Sequence, residues 1–361
     1  MAQAIAKGIK RVVADAETIM VPMADGGEGT VEALTYGSHG RIVSTEVTGP
    51  LGGKVTAKWG ILGDGVSAVV EMAAASGITL VPSEKLNPLV ATTYGTGELI
   101  RAALNAGCRR LIIGIGGSAT NDGGAGMAQA LGVRLLDEGG GELPRGGAAL
   151  AELSRIDTSG LDIRLTGREI IIASDVTNPL CGEQGASRVY GPQKGATGEM
   201  CQQLDEALAN YAGVIKGDLG IDVMDIPGAG AAGGLGAGLI AFLGAKLISG
   251  IEIVSEVAGL AGYLKGASLV FTGEGSIDTQ TLFGKTVAGV AAKAKAQGVP
   301  VVALGGAVAG DSKEFYQHGI DAVLSIAPGP ISLRKSMANA EKLIADAAER
   351  ALRLILIRLE R

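Results

Sequence analysis

Short runs of valine, isoleucine and leucine alternate with alanine-rich runs along most of this chain, and clusters of glycine mark many of the joins. That alternation constrains the fold more than any other feature. Short β-branched runs read as strands, alanine-rich runs as helices, and their succession as an α/β protein. Glycine supplies 59 of the 361 residues, more than twice the ~7% average share. Such a surplus implies many tight turns and many places where backbone must approach something closely.

A strand is expected at 18–22 and a helix at 30–36. Residues 41–47, 54–62 and 68–72 are strand-like and joined by short glycine-bearing links, which implies an antiparallel meander. Helices are expected near 97–105, 124–131, 198–214, 235–243, 252–264 and 286–297, and from 333 to the end. Strands are expected at 111–115, 133–136, 169–174, 268–271, 300–304 and 322–326, and 145–168 reads as irregular. The last strands are apolar runs that suit a parallel sheet covered on both faces. The architecture expected is a doubly wound domain built from both chain ends, residues 1–40 and 263–361, with a second α/β domain inserted at 41–262. A cleft between the two is the default ligand site.

Composition removes several function classes. The chain carries 31 basic and 37 acidic residues, net −6, with no polybasic run, so nucleic-acid binding by phosphate neutralisation is not expected. Cys108, Cys181 and Cys201 share no metal-binding spacing and only two histidines exist, which argues against a disulfide framework and a zinc cage. A reduced, cytoplasmic compartment follows. The N-terminus lacks the apolar core of a signal peptide. Residues 226–245 carry no charge, but Pro227 and the loop-like PGAGAAGGLG within them argue for loop plus buried helix over a membrane span.

Four loops carry residues suited to chemistry. The first, Asp25-Gly26-Gly27-Glu28-Gly29-Thr30, lies between an expected strand and helix, so its N–H groups can face an anion, and Asp25 can hold a cation or a hydroxyl. The second runs from Gly114 through Gly116, Gly117, Ser118 and Asp122 to Gly124. Gly114, Gly116 and Ala119 match a dinucleotide fingerprint, with Asp137 about twenty residues on, so nicotinamide chemistry stays open beside a plain anion-binding loop. The third ends an expected strand with Asp175, followed by Lys194 between glycines. The fourth contains Gly273, Glu274, Asp278 and Gly284-Lys285-Thr286. It lacks the first glycine of a P-loop, yet Lys285 at a helix start suits phosphate, and the two carboxylates suit magnesium or a hydroxyl proton. A capped turn is the plain alternative for each loop. Together they offer what phosphoryl transfer needs: positioning, charge neutralisation, and a carboxylate for the acceptor hydroxyl.

The segments PMADGGEGTVEAL, ATTYGTGELIRAAL, IGIGGSATNDGGAGMAQALG, SDVTNPLCGEQGA, VYGPQKGA, PGAGAAGGLGAGL, TGEGSIDTQTLFGKTVAGVA and SIAPGPISL resemble the bacterial glycerate kinase family of the glycerate 2-kinase type. They follow the family's order from about residue 20 to 340. The resemblance implies two α/β domains, one of them flavodoxin-like. It also implies ATP- and Mg²⁺-dependent phosphorylation of D-glycerate to 2-phosphoglycerate.

Carried over onto this sequence, the resemblance puts Asp25, Asp122, Asp175, Glu274, Asp278 and Lys285 at the site, with Gly26, Gly27, Gly116, Gly117, Ser118 and Gly273 as backbone donors. Lys285 is expected on the transferring phosphoryl group. Asp278 or Asp175 would be metal ligand or hydroxyl acceptor, Glu274 a metal ligand, and Arg101 or Lys194 the partner of the glycerate carboxylate. Members usually open with a short apolar strand and an Asp-Ser-Phe-Lys motif, whereas this chain opens at AQAIAKGIKR, in the helix that follows. In a flavodoxin-like order that strand would lie between 18–22 and 268–271, so a terminal domain without it is expected to be weakened. A nucleotide-dependent oxidoreductase and a sugar-acid-binding relative without activity remain as alternatives, and homo-oligomerisation is left open.

Overall fold

The computed structural model describes residues 1–24, 26–282, 286–310 and 312–357. The backbone divides into two compact units, Ala24–Gly250 and the two chain ends together, Met1–Met23 with Ile251–Arg361. The divisions thus fall before the helix Thr30–Gly37 and before most of the helix Gly250–Val257, not at 40/41 and 262/263. Side-chain packing explains both. Val31 and Leu34 of the first helix are buried, and Gly60 faces it so closely that a β-carbon there would strike the Thr35 hydroxyl. Ile251 packs over Gly289 of the terminal unit, again where a β-carbon would collide.

The unit Ala24–Gly250 contains β1 (Arg41–Thr48), β2 (Lys54–Ile61), β3 (Ser67–Glu71), β4 (Arg110–Gly114), β5 (Arg134–Leu136), β6 (Arg155–Asp157), β7 (Glu169–Ala173) and β8 (Lys246–Ile248). Six of these form one sheet in the order β1-β2-β3-β4-β7-β8. The meander β1–β2–β3 is antiparallel, and every pairing from β3 to β8 is parallel. Leu111, Ile112 and Ile113 of β4 are all fully buried, as a strand covered on both faces requires. The parallel strands end on one edge, where open α/β sheets take ligands. The stretch expected to be irregular, 145–168, contributes β6, which pairs antiparallel with β5. The uncharged stretch 226–245 holds the helix Ala231–Leu243, kinked at its start by three left-handed residues, Ala232, Gly233 and Gly234. No helix among the described residues is long and apolar enough to cross a membrane.

The terminal unit has β9 (Val270–Ile277), β10 (Val301–Val308) and β11 (Ala322–Ser325), parallel, in the order β11-β10-β9. The sheet is covered on both sides. Val302 and Leu304 pack with Ala4, Ile5, Leu343 and Ile344, whereas Val301 and Ala303 pack with Val287, Val290 and Phe315. Residues 18–22 form no strand. A strand needs a neighbour for its N–H and C=O groups, and β9 pairs only with β10 among the described residues. Ile19 and Met20 stay exposed, while Val21 and Met23 pack on the core. β9 and β10 are longer than expected because the glycine-rich TGEGSI continues the ladder to Ile277, opposite Val308. Two expected helices are each split: 252–264 by Gly259 at φ 67°, and the final one at Asn339.

Candidate active site

In the unit Ala24–Gly250, the candidate loops stack on the ends of β3, β4 and β7. Gly26, at φ 89°, lies on the Ala173 carbonyl closely enough to exclude a β-carbon. A β-carbon at Gly114 would sit 2.6 Å from the Gly26 carbonyl, and one at Gly116 would sit 3.1 Å from the Gly27 Cα. Glycine here is the condition for two loops and two strand ends to touch backbone to backbone. Asp25, the residue before Gly26, lies outside the described residues.

The loop after β4 is held from one side by backbone. Ile78 N–H donates to the Gly117 carbonyl at 2.9 Å, and Ala119 N–H to the Ser76 carbonyl at 3.0 Å. Ser118 is buried between these bonds, whereas Gly116 and Gly117 are exposed. Among the described residues their N–H groups make no bond within the chain. Two neighbouring N–H groups around a left-handed glycine, Gly117 at φ 72°, suit an anionic oxygen. A dinucleotide fingerprint needs its helix directly after Ala119, whereas the helix starts at Ala125, close to the 124 expected from sequence, so the Rossmann turn needed for the oxidoreductase alternative does not form.

Asp122 holds the segment between the loop and that helix. Its carboxylate is fully buried and accepts the Thr93 N–H and hydroxyl at 2.8 and 2.9 Å, and the Gly124 and Gly126 N–H groups at 3.2 Å. Burial pushes its acidity toward the protonated form, and these donors oppose the shift. It staples the starts of the helices Tyr94–Asn105 and Ala125–Ala130 and does not face solvent as the sequence suggested.

The two cations proposed for a carboxylate are also engaged elsewhere. Lys194 is 1% exposed and donates to the Thr120 carbonyl at 2.7 Å. Arg101, on the third turn of its helix, donates to the Ala130 carbonyl at 3.1 Å and lies 3.9 Å from Glu98. Asp175 follows the end of β7, is exposed, and accepts the Gly250 N–H at 3.2 Å.

Sequence reasoning missed Glu71. It ends β3, is 9% exposed, and accepts the Val31 N–H at 2.7 Å. Burial raises its pKa. A charge closing the otherwise apolar run SAVVE was the available signal.

In the terminal unit, Glu274 lies on β9 and Asp278 follows it. Glu274 Oε1 is buried with no hydrogen-bond partner among the described residues. Asp278 N–H donates to the Thr281 hydroxyl at 3.0 Å. Gly273 lies within the strand, against the Leu304 carbonyl, so its backbone belongs to the sheet and not to a loop as expected. Lys285 lies outside the described residues.

The fold places the chain among mixed α/β proteins with parallel-rich sheets. A profile of the Glycerate kinase family matches residues 1–356. The chain is 56% identical over 326 residues to a glycerate 2-kinase of Escherichia coli K12, covering 90% of this chain and 86% of that protein. It is 53% identical over 347 residues to a glycerate kinase of Bacillus subtilis 168, covering 96% and 91%. A crystal structure of a Salmonella typhimurium LT2 protein, provisionally assigned as glycerate kinase 2, superposes with a TM-score of 0.90 at 50% identity, over 99% of this chain and 94% of that one. This chain belongs to the glycerate kinase family.

Proposed function

We infer that the chain is an ATP-dependent kinase that phosphorylates D-glycerate on its 2-hydroxyl, giving 2-phosphoglycerate and ADP. The observation that carries this reading is 56% identity with a glycerate 2-kinase across 90% of the chain. A cytoplasmic location and two small-molecule partners, ATP and D-glycerate, complete it.

The side chains support the reading in kind. Phosphoryl transfer asks for positioning and charge neutralisation rather than covalent chemistry. The exposed N–H groups of Gly116 and Gly117 suit phosphate or carboxylate oxygens. Glu274 and Asp278 fit Mg²⁺: both are hard oxygen donors, and among the described residues the buried Oε1 of Glu274 has no partner that a cation would displace. Glu274 and Asp278 would hold Mg²⁺, which would supply charge neutralisation on phosphate oxygens. Lys285 is assigned to the transferring phosphoryl group. The 2-hydroxyl oxygen bonds to the γ-phosphorus, its proton passes to a carboxylate, Asp278 or Asp175, and the β–γ bridging oxygen leaves with ADP.

Incubation with ATP, Mg²⁺ and D-glycerate, followed by ADP release and product NMR, tests the reading. ADP with phosphate on carbon 2 supports it. Phosphate on carbon 3 alone overturns the regiochemistry, and no ADP overturns the kinase.

A further inference from the structure

A buried lysine is left unexplained by the roles above. Lys194 closes the short turn Pro192–Lys194. Flanking glycines lock its backbone: a β-carbon at Gly191 would strike the Ser187 carbonyl, and one at Gly195, φ 90°, would lie 2.7 Å from the Leu86 carbonyl. The side chain runs inward, where Nζ donates to the Thr120 carbonyl at 2.7 Å. Asp122 is the charged group that acts on it, and the phenol of Tyr211 is influenced by the same carboxylate. Among the described residues, Thr120 Oγ1, Asn121 Oδ1 and the Tyr211 hydroxyl are buried without hydrogen-bond partners.

Packing alone does not call for an amine here. Methionine fills a similar volume without the cost of burying a charge. Burial lowers the Lys194 pKa from 10.5 to about 7, with Asp122 opposing the shift. Groups perturbed in this way concentrate at functional sites. This one hangs on the Thr120 carbonyl, four residues past Gly116.

We propose that Lys194 is a positioning residue for the loop from Gly116 to Asp122: its amino group holds the Thr120 carbonyl from inside the fold, and its positive charge strengthens the binding of an anion on the exposed N–H groups of Gly116 and Gly117. The proposal rests on the kinase reading of that loop. Lys194 touches no substrate and acts through Thr120 and through its charge in a dry interior, where a charge is felt more strongly than in water. Loss of the proton above neutral pH weakens anion affinity, and the neutral amine still fills its space.

The test follows KM and kcat for MgATP and for D-glycerate from about pH 6.5 to about pH 8.5, in the wild type, Lys194→Met and Lys194→Gln. In the wild type, KM for at least one of the two anions rises on the order of tenfold, with a smaller change in kcat, as the amine loses its proton. In the folded variants that KM is high at the lower pH and stays flat. A flat wild-type KM overturns the proposal whether or not the variants fold, and so does wild-type KM with its pH dependence intact in either variant. If the wild type releases no ADP, the kinase reading fails instead. Calorimetric binding of MgATP and of D-glycerate at the two pH values then decides the proposal, and affinities that are flat for both overturn it.

Discussion

The Glu71 carboxylate accepts the backbone N–H of Val31 at 2.7 Å, across 40 residues of sequence. The Thr30 and Gly29 N–H groups lie near enough to favour its charged form. An acidic side chain at the end of β3 therefore fills the N-terminus of the helix Thr30–Gly37, where unpaired N–H groups carry partial positive charge. The helix that follows the first glycine-rich loop has an acceptor built in at its start.

That contact sets a pH dependence. Burial is the largest influence on Glu71 and raises its pKa above 4.5, with the three N–H groups opposing. The folded state holds the proton more tightly than the unfolded one. The contribution is therefore complete below pH 4.5 and is lost as pH rises through the folded value. Glu71→Gln removes this titration, so the decline of Tm from about pH 4.5 to about pH 7 is shallower than in the wild type. Identical slopes would show that Glu71 does not titrate there. Glu71→Ala leaves the helix donors without their acceptor and costs about 1–3 kcal/mol by urea titration.

Two glycines of the helix Ala231–Leu243 region share a left-handed backbone but not its surroundings. Gly233 has φ 70° and ψ 34°, and Gly244 has φ 61° and ψ 29°. A β-carbon at Gly244 meets nothing within 4 Å, whereas one at Gly233 would strike the Thr120 carbonyl. Gly244→Ala should cost only the left-handed penalty, about 1–2 kcal/mol. Gly233→Ala must also push back the loop at Thr120, and should lower stability by clearly more. Equal urea midpoints for the two variants would contradict this packing.

Lys285→Ala and Asp278→Asn are each expected to lower kcat on the order of 10²-fold or more, because each removes charge stabilisation that matters most in the transition state. Far-UV circular dichroism should not change. Near-full kcat in either variant returns that residue to a structural role.

Arg101→Ala is expected to leave both KM values within about twofold, a surface substitution removing only a backbone bond and a weak pair. The guanidinium donates to the Ala130 carbonyl and lies 3.9 Å from Glu98. A tenfold rise in the KM for D-glycerate would place it back at the substrate.

The loops at the strand ends were legible in sequence because glycine clusters after apolar runs mark where strands stop. Gly26, Gly114, Gly116 and Gly117 are where that pattern points. Burial was not legible. Asp122 and Lys194 look in sequence like exposed, ligand-facing groups, because each sits among glycines that suggest an open loop. The partner that draws each inward, Thr93 for Asp122 and Thr120 for Lys194, is remote in the chain. The strand expected at 18–22 failed for a related reason: its apolar pattern is local, but a strand exists only where another edge accepts it.

The α/β alternation, the antiparallel meander of β1–β3, the loops at the strand ends and the family resemblance could all be read from local residue type and spacing. Which charged groups stay in water depended on the folded arrangement. Glu71, Asp122 and Lys194 are taken inside because backbone donors and acceptors from distant segments meet them there. Hydrogen bonding across the fold is set by packing, and no short stretch of sequence contains it.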